Sequence, residues 1–302
     1  MVAMMTTLRA GRYGRTRNWK LLALMLLAGC NNKQPPVVEA EASGMSEAGS
    51  LFDPTTAGSI HGQVVWEGCL PSVPLFHAPT SPRTEQPGSG LLNWPNPNVP
   101  RIDSKTRAVE EAVVYLKAVD PKKAKPWDLD PVTVQMQNYQ FHILQGKAAK
   151  LTGFIRLGDP VEMISGQGVF HSVHTNGSAF FSIPFPDRDR AVKRRLDREG
   201  MIELTSAAGY FWMRGYLFVC RHPYITRTDA QGNFDLAGVP PGDYEVVCWL
   251  PNWQEDHHDR DPETSYWTRL FFKEPLIVRR DVSLRNIQSK EVVFPISEKL
   301  FP

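Results

Sequence analysis

A chain of 302 residues, 42% hydrophobic, 22% charged and 10% aromatic, has the make-up of a globular protein; this excludes a disordered polyelectrolyte, a collagen-like chain and a coiled coil. Its 25 prolines weigh against long helices, because each fixes φ and removes a backbone donor. Lys and Arg number 34 against 32 Asp and Glu, a formal charge of +2; five of the bases (Arg9, Arg12, Arg15, Arg17, Lys20) precede residue 30, where no acid stands, and without them the balance becomes −3. The basicity belongs to the leader, so the remainder offers no cationic footprint and no nucleic-acid partner is expected.

The leader is basic and polar to residue 20, then reads Leu21-Leu22-Ala23-Leu24-Met25-Leu26-Leu27-Ala28. Eight residues at about 1.5 Å each fall short of the roughly 30 Å of bilayer hydrocarbon, so 1–29 reads as a signal peptide and not a span. Its end, Leu27-Ala28-Gly29-Cys30, resembles the bacterial lipobox, where small residues precede a cysteine that receives a diacylglycerol before cleavage. That resemblance implies a mature chain starting at a lipidated Cys30. It would be anchored to a bacterial membrane facing the periplasm or exterior, each buried methylene contributing about 0.8 kcal/mol. Residues 30–57, rich in Glu, Ala, Ser, Gly and Pro, read as a flexible tether.

Strand character begins at 60–66, and 71–106, with its Pro, Ser and Asn, reads as an extended loop. Strands are predicted at 112–117, 132–136, 139–144, 151–155, 161–164 and 179–183 from β-branched and aromatic content between turn residues. The stretch 187–199 interleaves acids and bases without an apolar stripe, which predicts a solvated insertion or short helix. Further strands are predicted at 202–205, 216–220, 225–228, 233–236, 244–250, 276–284 and 291–296, with a charged loop at 252–268. Many short strands at this spacing predict an all-β, antiparallel Greek-key β-sandwich.

Two sets of segments carry family resemblances. TDAQGNFDLAGVPPGDY (228–244) is similar to the centre of carboxypeptidase regulatory-like, transthyretin-like modules, and IHGQVVWEG (60–68) to their opening strand. The first makes physical sense as a tight turn at Asp229–Gly232, inward-facing Phe234 and Leu236, and a second turn at Pro240-Pro241-Gly242. GDPVEMIS (158–165), FHSVH (170–174) and FFSIP (180–184) resemble plastocyanin-type cupredoxins around the first copper histidine. AAGYFWMRGY (207–216) with LFVCRHPY (217–224) resembles the ligand loop and the strand after it. The resemblances imply a cupredoxin-like domain over 58–222 with inserted loops and a regulatory-like segment over 223–302, the latter able to pack with strand 58–68.

The cupredoxin resemblance breaks at the metal. It places the ligand positions at His171, Ala207, Tyr210 and Met213, where the family has histidine, cysteine, histidine and methionine. A type 1 centre needs a thiolate and two imidazoles with a weak axial methionine. Alanine supplies no donor and tyrosine is not an imidazole, so these positions read as vestigial, with no metal and no cofactor expected. Cys220 lies seven residues beyond Met213 and does not replace the thiolate. His171 and His174 stand three apart, on opposite faces of an extended segment, and read as polar loop histidines.

Other features remain open at this stage. Cys220 and Cys248 lie in strand-like runs, and both a disulfide and two buried thiols are compatible with them. Glu255, Asp256, His257, His258 and Asp259 read as a solvated loop or a ligand set for Zn²⁺ or Cu²⁺. Trp94, Trp253 and Trp267 read as loop residues folded back on the sandwich ends or as exposed platforms for carbohydrate or protein. Carboxylate pairs occur at Glu110 with Glu111 and Asp256 with Asp259, but there is no nucleophile elbow, His-Glu-x-x-His, P-loop or dinucleotide fingerprint. The expectation is a non-enzymatic, membrane-anchored envelope protein that binds an envelope protein or polysaccharide or serves structurally. Two alternatives stand beside it: copper binding or electron transfer through an unconventional site, and a hydrolase of envelope polymers.

Overall fold

A computed structural model of the chain describes residues 51–79, 91–263, 265 and 267–302; the leader, Cys30 and most of the tether lie outside them. The described residues are almost entirely β, with one 3₁₀ turn at Glu298–Leu300, and none of their helices is long and apolar enough to cross a membrane.

The chain opens with β1 (Gly58–Trp66), β2 (Phe76–Pro79), β3 (Leu91–Trp94), β4 (Arg101–Ile102), β5 (Val109–Glu110) and β6 (Val113–Lys117). Next come β7 (Val132–Gln137), β8 (Gln140–Gln145), β9 (Ala148–Lys150), β10 (Thr152–Arg156), β11 (Pro160–Ser165), β12 (His171–Gly177), β13 (Ser182–Phe185), β14 (Val192–Arg195), β15 (Gly200–Ser206) and β16 (Arg214–Cys220). The last set is β17 (Ile225–Arg227), β18 (Asn233–Val239), β19 (Gly242–Leu250), β20 (Glu255–Arg260), β21 (Trp267–Phe272), β22 (Leu276–Leu284) and β23 (Ser289–Ile296).

These strands build two sandwiches, one inserted in the other. The outer sandwich has a three-stranded sheet, β18-β1-β23, and a four-stranded sheet, β17-β6-β19-β22. Alternation in β18 sends Phe234 and Leu236 inward, where they meet Ile60, Val64 and Trp66 of β1 and Phe294 of β23. The inner sandwich has two five-stranded sheets, β10-β16-β15-β12-β13 and β14-β11-β7-β8-β9. The pattern of β7 is strict: Val132, Val134 and Met136 are buried and the residues between them are not. Most pairs among the described strands are antiparallel, and the β15–β16 hairpin lies beside the β12–β13 hairpin through β12–β15. Three pairs are parallel: β1–β23, β7–β11 and β10–β16.

The division at 222/223 is therefore corrected. Strands β6 and β17 are direct neighbours, Tyr115 opposite Ile225, yet the whole inner sandwich lies between them in sequence. The outer sandwich takes strands from both sides of the inner one, which spans about 132–220. A third apolar cluster joins the two, with Phe154, Tyr216 and Phe218 from the inner sheet against Val113, Ile225 and Trp249 from the outer.

Polar ties reinforce that junction. Arg227 Nε donates to Thr152 Oγ1 (2.7 Å), one Nη donates to Gln145 Oε1 (3.2 Å) and to the Thr152 carbonyl, and the guanidinium lies 4.5 Å from the Phe154 ring centroid. Lys150 bridges to Glu110 (3.3 Å) and to Glu111 beside it.

Several local expectations change. The tether ends before 57, because Leu51 N donates to the Lys122 carbonyl (2.9 Å) and Ile287 N to the Thr56 carbonyl (3.1 Å). Residues 187–199 form no helix; β14 pairs with β11 there, an edge strand whose charges face solvent. In place of the charged loop, β20 and β21 pair antiparallel, with His257 on Phe271 and His258 on Trp267 stacked across the two strands. The 71–106 segment contains β2, β3 and β4. Cys220 and Cys248 are free, buried thiols on β16 and β19, and burial pushes both up to about 12.

Replacing Arg227 with methionine keeps the stem and removes the fork. The buried Thr152 acceptors then lose their donor, while Gln145 Oε1 keeps the Phe154 N–H (3.1 Å), and an unsatisfied buried polar group costs about 1–3 kcal/mol. Urea unfolding should show a loss of about that size; an unchanged midpoint would mean that the apolar junction alone holds the sandwiches together.

Candidate functional site

The four ligand-like positions come together at one end of the inner sandwich. His171 opens β12 and is 1% exposed. The next residue, Ser172, accepts Ala207 N through its carbonyl (2.9 Å), which draws the 207–213 turn against it. Within that turn Gly209 has φ +85°, a left-handed position that suits glycine, and Met213 N donates to the Tyr210 carbonyl (2.9 Å). The Tyr210 ring lies 5.2 Å from the His171 ring, and Met213 is buried in the same core.

Gln167 sets the protonation of His171. Its Oε1 accepts the Tyr139 backbone N–H (3.0 Å), which fixes the amide orientation, and the same oxygen faces His171 Nε2 at 3.1 Å. A carbonyl oxygen can only accept, so Nε2 carries the proton and Nδ1 is left as the bare lone pair. Nδ1 is buried with no hydrogen-bond partner among the described residues. Burial pushes the imidazole down to about 4, so it is neutral at physiological pH.

Aromatic rings occupy the rest of the site. Tyr139 packs edge-on against Tyr210 (5.2 Å), Trp212 against Tyr210 (5.7 Å), and Trp94 stacks on Trp212 at 4.8 Å and 12°. Trp212 Nε1 donates to the Tyr139 carbonyl (2.9 Å). Tyr139 itself sits at φ +56°, the second residue of a two-residue hairpin after Asn138 at φ +50°. A β-carbon in the left-handed region costs about 1–2 kcal/mol, so Tyr139 is held there by its ring and backbone contacts.

This donor set does not fit a type 1 copper. One imidazole nitrogen is bare, but the position for the thiolate is a methyl group and that for the second imidazole is a phenol in an aromatic stack. No step through such an ion is derived. Among the described residues no group of three or more His, Cys, Asp or Glu side chains is placed to hold a metal ion.

The remaining candidates separate from this end. His174 faces away, bonded to Ser182 Oγ (2.8 Å) and edge-on to Phe180 (5.1 Å). His257 stacks on Phe271 (4.2 Å) and pairs with Asp256 (2.8 Å); His258 stacks on Trp267 (4.0 Å), pairs with Glu255 and accepts from Arg260 (3.0 Å). Each imidazole thus has its own carboxylate and ring, and neither reaches His171. Glu110 and Glu111 share Lys150, while Asp259 lies 3.9 Å from Arg269. Trp253 is buried against Trp66 and Phe301, and Trp94 and Trp267 are packed, so the three tryptophans fold back on the body.

Sequence reasoning missed Tyr139, Gln167 and Trp94 as parts of the site. Asn138 was the available signal, since an asparagine between alternating runs marks a tight hairpin and would have moved Tyr139 from strand to turn. Nothing local marked Trp94, whose partner is Trp212.

No protein-family model matches the chain, and no curated protein does. Similar solved structures include amicyanin from Paracoccus versutus (18% identity, 35% of this chain and 98% of that chain, TM-score 0.25). Others are a purple cupredoxin from Nitrosopumilus maritimus (16%, 30% and 99%, 0.24) and the copper-containing nitrite reductase of Thermus scotoductus SA-01 (20%, 34% and 25%, 0.25).

The buried neutral His171 should make the fold acid-sensitive. Its folded value lies below its unfolded one, so its contribution is complete above about pH 6.5 and is lost as pH falls towards 4. Desolvation lowers His222 too, with the same sign. Between pH 7 and pH 4.5 the His171→Phe variant should lose less stability than the wild type, by about 2 kcal/mol in urea unfolding. Equal losses would show that His171 is solvated.

Proposed function

We propose that the protein is a lipid-anchored component of a bacterial cell envelope, with a non-catalytic binding or structural role. Its inner sandwich is a cupredoxin-like scaffold without type 1 copper, carried by a regulatory-like outer sandwich. The observation that supports this best is the replacement of two donors in a preserved place. Ala207 and Tyr210 stand beside His171 and Met213, and aromatic rings fill the space around them. The lipobox-like Leu27-Ala28-Gly29-Cys30 supports the anchor, and the partner proposed is an envelope protein or polysaccharide.

Restoring the donors tests the scaffold reading. The double variant Ala207→Cys/Tyr210→His would unite a thiolate, two imidazoles and a thioether, and should gain a visible thiolate-to-copper absorption band on adding one equivalent of Cu²⁺. The single variants should not. A colourless double variant that folds normally would show that these four positions do not share a metal-binding geometry.

The anchor has its own test. The Cys30→Ser chain should move from the membrane fraction to the soluble fraction of an expressing bacterium, because removal of the acyl chains removes the dominant apolar contact with the bilayer. Retention in the membrane would argue for a different attachment.

A further inference from the structure

A groove of about 570 Å³ lies between the outer face of the β12–β15 pair and the β20–β21 hairpin. Alternation along the two strands sets its floor. Val173 and Thr175 of β12 and Ile202 and Leu204 of β15 turn into the inner sandwich, so His174 and Asn176 stand outward, opposite Thr205 and Glu203. His171 points to the other face of β12, which separates the groove from the vestigial copper positions. On the hairpin wall His257 lies flat on Phe271 and keeps 58% of its side chain exposed. Phe180 stands edge-on to His174 at 5.1 Å and is 77% exposed, more than any other large apolar side chain among the described residues.

Three polar groups of the floor are anchored at one end and open at the other. His174 Nδ1 is bonded to Ser182 Oγ (2.8 Å), Asn176 Oδ1 accepts Gly177 N (2.9 Å), and Glu203 Oε1 pairs with Arg214 Nε (3.2 Å). Their other ends, His174 Nε2, Asn176 Nδ2 and Glu203 Oε2, have no hydrogen-bond partner among the described residues and are not sealed from solvent. The charges of the lining balance, with Arg214, Arg269 and Lys273 against Glu203, Asp256 and Glu274.

These features select the occupant. A charged polymer gains no net attraction from a balanced lining, and an apolar chain would strip water from the open polar ends without replacing its bonds. An extended peptide needs a free strand edge, but β12 and β15 are each paired on both sides. A sugar chain meets every part: its uncharged hydroxyls donate and accept at the polar floor, and its C–H faces stack on an exposed ring. The volume is that of a small-molecule site and takes a short oligosaccharide.

We propose, on the binding role set out above, that this groove holds a neutral oligosaccharide of equatorially linked pyranose units, one sugar face on Phe180 and the hydroxyls on His174, Asn176 and Glu203. Equatorial linkage keeps such a chain flat, with C–H groups on its faces and hydroxyls along its edges. Failure here would remove this partner and leave the scaffold and anchor readings to their own tests.

The test is isothermal titration of the full-length Cys30→Ser chain with cellohexaose and with chitohexaose. Saturable one-to-one binding of at least one is expected, about tenfold or more tighter than that of hexagalacturonate, which has the same length and a carboxylate on every unit. Phe180→Ala removes the stacking ring, and Asn176→Asp removes the open donor while keeping the acceptor for Gly177 N. Both positions are exposed, and each change should weaken binding about fivefold or more with the urea unfolding midpoint unchanged. The proposal fails if neither hexasaccharide binds saturably, if hexagalacturonate or an uncharged hexapeptide binds as tightly, or if either variant binds as the wild type does.

Discussion

The architecture depends on one strand being gripped on both sides. β6 lies between β17 and β19, and the chain leaves it to build an entire second sandwich before returning as β17. Such an excursion holds only if its two ends are fixed together, because the loop-closure cost must be met by contacts made elsewhere. The ladder Val113–Tyr115 against Ile225–Arg227 does part of this, and the fork of Arg227 onto Thr152 and Gln145, the Lys150 pairs and the apolar cluster at the junction add to it. Burial disfavours the charge on Arg227, and Glu111 favours it. The guanidinium is retained because its donors meet acceptors of the inserted unit and its face meets Phe154.

That fixed base lets the far end of the inner sandwich vary. There the turn 207–213 is drawn to β12 by a backbone hydrogen bond that needs no particular side chain, so the loop keeps its course whatever occupies 207 and 210. An ion in such a place supplies several bonds that tie a loop to a strand. Here stacked rings do that work: Trp94 on Trp212, Tyr139 and Tyr210 on each other, and His171 against Tyr210. Among the polar atoms buried there is the bare Nδ1 of His171, with the acid sensitivity that follows from burying it.

Much of the fold was legible because strands write themselves locally. Val132, Val134 and Met136 alternate, Phe234 and Leu236 alternate, and the turns at Asp229–Gly232 and Pro240–Gly242 use the residues that such turns require. The nesting of one sandwich in the other was not legible, since the pairing of Tyr115 with Ile225 bridges more than a hundred residues and leaves no periodic signal. The hairpin at 255–272 was hidden by its charges: Glu255, Asp256, His257 and His258 look like solvent loop until each imidazole is seen stacked on Phe271 or Trp267. At the site, the positions of His171, Ala207, Tyr210 and Met213 followed from motif order, whereas Tyr139 and Trp94 needed three dimensions.

The central claim is that this end of the inner sandwich no longer offers a place for a redox copper. Adding Cu²⁺ to the purified wild-type chain, removing loose ion by dialysis and recording electron paramagnetic resonance tests it most directly. The account predicts no retained copper with the narrow hyperfine pattern of a cysteine-ligated centre. One retained copper per chain giving that pattern, and losing it in a His171→Ala variant, would contradict the account.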